Sequence, residues 1–117
     1  MTKDQAAELA FQLMADGMHC SEAVVQAAGQ YFWGTCPEVL ARAASPLGGG
    51  VAGTRDEICG ALSGAILIIG AKYGRVSVDQ SQDKAYASLS KQLREQFLAY
   101  ASTTRCSDVK LSVGQTE

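Results

Sequence analysis

The sequence predicts an all-α fold, a small bundle of about four main helices, on three observations. Apolar residues recur at helical spacing in four segments, and helix-capping residues occur at the ends of several of them. No segment shows the sustained alternation of apolar and polar residues that is typical of a strand. The 117 residues suit a single domain, 1–117. Because 47% of the residues are hydrophobic, a chain of this length can bury a core.

The first half of the chain contains two long predicted helices and a short one. The first runs from about Lys3 to Asp16 and begins with a capping box formed by Thr2 and Gln5. The second runs from about Ser21 to Trp33. A short helical segment, Pro37 to Ala44, follows with its proline in the first turn, where proline is favoured.

Two more helices are predicted in the second half. Thr54 and Glu57 have capping-box spacing, so the third main helix is predicted to begin at Thr54, to carry Ile66 in the core and to be the most buried. The fourth is predicted from about Asp79 to Ser102, and the tail after it becomes polar. Its apolar stripe consists of Tyr86, Leu89, Leu93, Phe97 and Tyr100.

Composition and charge narrow the function classes. The net charge is −2 and no stripe of lysine and arginine is present, so nucleic acid is not an expected partner. The apolar stretch from Ile58 to Ala71 is shorter than the roughly 20 residues of a membrane-spanning helix, which favours a buried core helix. The start of the chain does not resemble a signal peptide, so we expect a cytoplasmic protein whose thiols stay free, bind metal or act in redox chemistry.

Cysteines carry the candidate chemistry, at Cys20, Cys36, Cys59 and Cys106. They form no Cys-x-x-Cys pair, so their spacing excludes zinc-knuckle and thioredoxin-type sites. Cys20 begins the second helix, Cys59 lies in the second turn of the predicted third helix, and Cys106 follows the fourth. Antiparallel packing would bring these three together at one end of the bundle, with Cys36 apart. The alternative for each is a small buried hydrophobe.

Glycines form a second candidate feature beside the cysteines: Gly48, Gly49 and Gly50 in a loop, and Gly60 and Gly64 one helical turn apart. The loop is expected to lie over the cysteine end, with backbone N–H groups that bond thiolate sulfur. Gly60 and Gly64 either let another helix approach closely or make room for a cofactor beside Cys59. This bare face on a nearly uncharged helix also predicts a homodimer. His19, the single histidine, is a candidate ligand or base and equally a helix cap.

Together these segments are similar to one known family. Cys20-Ser21-Glu22-Ala23-Val24, Leu47-Gly48-Gly49-Gly50-Val51 and Cys59-Gly60-Ala61-Leu62-Ser63-Gly64-Ala65, with Cys106 after an amphipathic helix, resemble the redox-active proteins named after their C-GCAxxG-C-C cysteine motif. The resemblance extends from about Gly17 to Asp108. It implies a small bacterial or archaeal redox-active protein without a general assigned reaction.

A related domain occurs in split-Soret cytochromes, where it accompanies haem and an iron–sulfur centre in a dimer. The resemblance therefore implies that Cys20, Cys59 and Cys106 ligate an iron–sulfur cluster or exchange as thiols with a redox partner protein. Covalent c-type haem is not expected, because the sequence has no Cys-x-x-Cys-His. The family carries a further cysteine downstream of the position of Cys106, and this sequence has none there. A fourth cluster ligand would have to come from Cys36, a non-cysteine group or another chain.

Three functional hypotheses follow from the residues and the resemblance. The first is a redox or electron-transfer protein that uses Cys20, Cys59 and Cys106. The second is a non-catalytic helical binding or assembly module that retains the fold. The third is a thiolate site, formed by the same three cysteines, for zinc or another soft metal.

Overall fold

The computed structural model describes residues 1–78 and 85–112, and this part of the chain is all-α, as predicted. Its helices are α1 (Lys3–Ala15), α2 (Cys20–Trp33), α3 (Glu38–Ala44), α4 (Gly60–Tyr73), α5 (Ala85–Ala101) and α6 (Cys106–Ser112), with a 3₁₀ turn at Ser45–Leu47. None of the described helices has the length and apolarity needed to cross a membrane. The predicted start of the fourth helix at Asp79 lies outside the described residues.

Local capping signals set the ends of α1 and α2. The Gln5 N–H donates to Thr2 Oγ1 at 3.1 Å and the Thr2 N–H donates to Gln5 Oε1 at 2.8 Å, which confirms the predicted capping box. Gly17 and Gly34 follow the two helices with φ of +111° and +79°. Such backbone favours glycine, so each helix ends where a glycine permits the turn.

The predicted start of the third main helix at Thr54 is wrong, because α4 begins at Gly60. Thr54 Oγ1 donates to the Gly50 carbonyl at 2.8 Å and accepts from the Asp56 N–H at 3.3 Å, so it serves a turn and caps no helix. The five residues from 49 to 53 all have positive φ, between +54° and +75°, and they include Val51 and Ala52. Arg55, inside the predicted helix, also has a positive φ of +64°, which a right-handed helix does not accommodate.

The chain also forms a helix, α6, where a polar tail was predicted. Ser102, with φ of +66°, ends α5. Arg105 then pairs with Ile58 in an isolated antiparallel β-bridge, and α6 begins at the next residue. The start of α6 therefore depends on a pairing with the loop before α4, which is distant in sequence.

The core lies mainly between α2 and α4, which contribute five buried residues each. The prediction that the third main helix is the most buried is therefore half right, since α2 equals it. Ile66, predicted to be in the core, is only half-buried, whereas Leu62 on the same helix has 1% of its surface exposed. Leu62 is thus the largest fully buried side chain of α4, and Ile68 is the α4 residue that joins Val25 of α2 in a hydrophobic cluster.

Helices α1 and α5 are covered much less. Helix α1 has no fully buried residue, and in α5 only Ala101 among the described side chains is fully buried. The predicted apolar stripe of α5 is half-buried along most of its length, and its last member, Tyr100, is 76% exposed. The stripe is therefore a partly open face of the bundle, and a core position is wrong for Tyr100.

Candidate functional site: a cavity lined by three thiols

Three of the four cysteines stand at the N-terminal ends of three helices. Cys20 is the first residue of α2, Cys59 is the N-cap of α4, and Cys106 is the first residue of α6. The predicted position of Cys59 in a second helical turn is thus wrong. Cys20 begins a helix and Cys106 follows the fourth predicted helix, as predicted, although Cys106 also begins a helix of its own.

These three cysteines line one cavity of about 180 Å³, here called the thiol cavity. Its other lining residues are Met14, Ala61, Phe97, Tyr100, Val109 and Lys110. Most of the lining is apolar, and Lys110 is the charged side chain among the described lining residues. All four cysteines are free thiols.

The backbone fixes Cys59 and Cys106 relative to each other. The Cys59 N–H donates to the Thr104 carbonyl at 2.7 Å, and the Cys106 N–H donates to the Glu57 carbonyl at 2.8 Å. These bonds lie on either side of the bridge between Ile58 and Arg105. The two cysteines therefore flank the bridge diagonally, one on each side, and both line the cavity.

Ion pairs of Arg105 at the surface join the segments on the two sides of the bridge. Arg105 Nη2 lies 3.1 Å from Asp56 Oδ1, and Arg105 Nη1 lies 3.5 Å from Asp108 Oδ2. The guanidinium therefore joins the loop before α4 to α6. Since half of the Arg105 side chain is exposed, the pairs contribute little stability by themselves, and their main effect is to orient the segment.

Cys20 reaches the cavity through the close packing of α2 against α4. A Cβ atom on Gly60 would lie 2.9 Å from Ser21 N and 3.2 Å from Cys20 Cβ. A Cβ atom on Gly64 would lie 2.9 Å from Ser21 O. Since these spaces are filled by α2, the contacts favour the close-approach interpretation of the glycine pair, and neither glycine lines the cavity.

The triple-glycine loop supports the site from outside. A Cβ atom on Gly50, whose φ is +68°, would lie 2.6 Å from Cys106 Cβ, and one on Gly48 would lie 2.5 Å from His19 Cβ. A Cβ atom on Gly49 would lie 2.9 Å from Gly53 Cα, within the loop itself. The loop therefore packs against Cys106 and the start of α2. The Gly48 N–H donates to the Ser45 carbonyl at 3.3 Å, so bonding to sulfur stays a prediction only for the N–H groups of Gly49 and Gly50.

The remaining candidate residues, Cys36 and His19, lie outside the thiol cavity. Cys36 lies in a hydrophobic cluster with Val25, Ala44 and Ile68, where its Sγ is 3.6 Å from the Val25 carbonyl oxygen. His19 is exposed and is the N-cap of α2, with its N–H donating to Glu22 Oε1 at 2.9 Å. Neither residue lines the thiol cavity.

Lys110 is the cavity residue whose role the sequence analysis missed. It stands four positions after Cys106, a spacing that places both residues on one face of a helix. That signal was hidden because the segment was not predicted to be helical.

The thiols differ in exposure and electrostatics. Cys59 and Cys106 are buried, whereas Cys20 is half-exposed. Burial raises the pKa of the Cys20 thiol, the neighbouring Cys59 raises it further, and Cys106 adds a smaller rise. The positive charge of Lys110 acts in the opposite direction and lowers this pKa.

We therefore expect alkylation of Cys20 by iodoacetamide to be slow at pH 7 and to accelerate through pH values above the usual cysteine midpoint of about 8.5. The reason is that the reactive thiolate forms only at higher pH when the pKa is raised. Lys110→Met should move the midpoint to still higher pH, and Lys110→Arg should leave it near the wild-type value. Mass spectrometry of the Cys20 peptide after timed labelling measures the rate. A midpoint that does not change in Lys110→Met contradicts the proximity of the charge.

The described side chains around the thiol cavity do not form a complete set of metal ligands. Within residues 1–78 and 85–112, no group of three or more histidine, cysteine or acidic side chains is placed to hold a metal ion. Iron–sulfur clusters take four protein ligands as a rule, and three cysteines line the cavity. The residues therefore do not fit a metal centre without further ligands, and their own chemistry is that of thiols.

Comparison with known proteins gives one match. A family model described as "Putative redox-active protein (C_GCAxxG_C_C)" matches residues 18–117, which include α2 to α6 and all three cysteines of the thiol cavity. No curated protein and no solved structure matches the chain. Because the match covers most of the sequence, the chain belongs to the C_GCAxxG_C_C family of redox-active proteins.

Proposed function

We propose that this protein transfers electrons by thiol–disulfide exchange, with Cys20 and Cys59 as the exchanging pair. The observation that carries the proposal is that three thiols line one largely apolar cavity. The family assignment supports redox activity in general and leaves the reaction open.

The packing of α2 on α4 selects Cys20 and Cys59 as the pair. Cys20 Cβ lies 3.2 Å from the place where a Gly60 Cβ would stand, and Gly60 directly follows Cys59. Consecutive Cα atoms are about 3.8 Å apart, so the two cysteines are near the range over which a disulfide closes. Apart from burial, Cys59 has the largest effect on the pKa of Cys20, as expected for neighbouring thiols.

Exposure assigns the two roles. Cys20 is the one cavity thiol that is not fully buried and so can meet a partner, while Cys59 is buried. The Cys20 thiolate attacks one sulfur of a partner protein's disulfide, which forms a mixed disulfide and releases the other partner sulfur as a thiolate. The Cys59 thiolate then attacks Cys20 Sγ and releases the second partner sulfur. The protein ends with a Cys20–Cys59 disulfide, and the partner has gained two electrons and two protons.

Cys106 supplies a third thiol in the same cavity. It is fixed beside Cys59 by the bridged backbone. We assign it no step in the exchange. Because the pKa of Cys20 is slightly raised by it, removal of Cys106 should ease thiolate formation at Cys20.

The proposal is tested by equilibrating the protein with mixtures of oxidised and reduced dithiothreitol and counting free thiols. The wild-type protein should lose two thiols reversibly, whereas Cys20→Ser and Cys59→Ser should lose none to an internal disulfide. Cys36→Ser is the matched control, since Cys36 lies in the other cluster, and it should behave as the wild type. The assignment is wrong if Cys36→Ser loses the reversible pair and Cys59→Ser keeps it.

Anaerobic purification with iron and sulfide analysis provides a second measurement. Thiol exchange predicts colourless protein with four titratable thiols per chain. Brown protein with stoichiometric iron and sulfide, lost in Cys59→Ser, would contradict thiol exchange in favour of a cluster completed by ligands outside the thiol cavity.

A further inference from the structure

The thiol cavity has room for one very small molecule. Its volume of about 180 Å³ equals that of about six water molecules in the liquid, and it lies below the roughly 300–1,000 Å³ of sites for drug-sized ligands. Two of its lining side chains, Met14 and Tyr100, are 40% and 76% exposed, so the cavity opens to solvent beside them. A small metabolite can therefore enter, whereas a segment of a partner protein is too large.

The lining of the cavity determines the kind of ligand. Apart from the three thiols, the described lining side chains are apolar or aromatic except for Lys110. Lys110 is half-buried on α6, one helical turn after Cys106, and its positive charge acts on Cys20 in the same cavity. A ligand that enters therefore meets one positive charge in apolar surroundings, where Coulomb attraction is stronger than in water. These conditions favour a small aliphatic molecule with one negative charge.

The exchange reaction creates a chemical requirement at the same place. Each exchange ends with a Cys20–Cys59 disulfide, and the next exchange requires two electrons and two protons from a reductant. Both cysteines line the cavity, and Cys20 is the one that is not fully buried. A thiol bound in the cavity therefore lies next to the disulfide that must be reduced.

We propose that the thiol cavity binds a small aliphatic thiol with a carboxylate, and that Lys110 binds this carboxylate while the thiol reduces the Cys20–Cys59 disulfide. The inference rests on the proposed function, since that function produces the disulfide. The reductant is thus a small molecule, distinct from the partner protein that receives the electrons.

The reduction consists of two exchange steps. The thiolate of the ligand attacks Cys20 Sγ, which forms a mixed disulfide and releases Cys59 as a thiolate. A second molecule of the same thiol attacks the ligand sulfur of the mixed disulfide and releases the Cys20 thiolate. Both cysteines take up the protons that the two ligand thiols have lost. Two small thiols are thereby oxidised to one disulfide, and the protein regains both of its thiols.

Alkylation of Cys20 in the reduced protein measures the preference for a carboxylate. Iodoacetate and iodoacetamide react with the same thiolate, and only iodoacetate carries a carboxylate, so the ratio of their rates cancels any change in the thiolate fraction. Lys110→Met should lower the ratio of the iodoacetate rate to the iodoacetamide rate by a factor of about three or more. Lys110→Arg should keep the ratio near the wild-type value. Mass spectrometry of the Cys20 peptide gives both rates.

Lys72→Met is the matched control, because it removes the same charge from an exposed position in the last turn of α4, whereas Cys59 stands at the other end of that helix. Its ratio should equal that of the wild type. A ratio that Lys110→Met leaves unchanged, or that Lys72→Met lowers equally, overturns the binding of a carboxylate by Lys110.

Reduction of the oxidised protein by mercaptopropionate and by mercaptoethanol tests the exchange step itself. The two thiols differ in a carboxylate and a hydroxyl, and comparing Lys110→Met with the wild type cancels the intrinsic reactivity of each. Lys110→Met should slow mercaptopropionate about threefold more than mercaptoethanol, and equal slowing of both overturns the proposal. A wild-type protein that forms no Cys20–Cys59 disulfide in the dithiothreitol titration contradicts the proposed function and with it the reduction step, while the alkylation ratio shows separately whether Lys110 favours a carboxylate.

Discussion

Leu62→Ala is expected to lower the free energy of unfolding by about 2–5 kcal/mol. The side chain has 1% of its surface exposed and is the largest fully buried one in the described part of the chain. Its truncation removes the contacts of a fully buried side chain of α4 and leaves a cavity in the core. Since domains of this size are stable by about 5–15 kcal/mol, the loss is a large part of the total.

Ile66→Ala on the same helix is the control for this prediction. It removes an aliphatic side chain of equal size that is only half-buried, so it should cost clearly less. Urea denaturation of both variants at one fixed protein concentration gives the two free energies and shows whether the m-value is unchanged. An Ile66→Ala loss equal to or larger than that of Leu62→Ala would mean that the packing face of α4 is wrongly assigned.

Sequence reasoning was reliable where a structural feature depends on neighbouring residues. The capping box of Thr2 and Gln5 fixes the start of α1, because it acts within one helical turn. The relation of Cys20 to a helix start could be predicted for the same reason.

The errors arise where distant segments determine the local structure. Thr54 and Glu57 have the spacing of a capping box, but the left-handed loop before them and the pairing of Ile58 with Arg105 displace the helix start to Gly60. The same pairing starts α6 at Cys106, in a segment whose periodicity is too short to be detected. Lys110 was missed as a consequence, since its relation to Cys106 exists only on a helix. Local sequence patterns therefore predicted the positions of the three cysteines only approximately. The bridge between distant segments determines how Cys59 and Cys106 are placed relative to each other.

Gly64→Ala is expected to destabilise the protein by about 1–3 kcal/mol, although alanine is the better helix former by about 1 kcal/mol. The added Cβ would lie 2.9 Å from Ser21 O and 3.1 Å from Ser21 Cα. Both are backbone atoms, so no side-chain rotation relieves the contact and α2 must move away from α4.

Gly70→Ala is the matched control, because Gly70 lies in the same helix, is exposed, and has nothing within 4 Å of its added Cβ. This variant should gain about 0.5–1 kcal/mol from helix propensity alone. Opposite signs for the two glycines, measured by urea denaturation, would identify close packing as the role of Gly64. A stabilising Gly64→Ala would contradict it.

The movement of α2 away from α4 in Gly64→Ala should also move the thiols of Cys20 and Cys59 apart. Ser21 directly follows Cys20, and Gly60 directly follows Cys59, so a wider gap between α2 and α4 separates the proposed disulfide pair. In Gly64→Ala, oxidation by dithiothreitol mixtures should therefore require more oxidising conditions than in the wild type or Gly70→Ala. An unchanged midpoint in a destabilised Gly64→Ala would show that the distance between Cys20 and Cys59 is set by some other contact, such as the packing of Gly50 against Cys106.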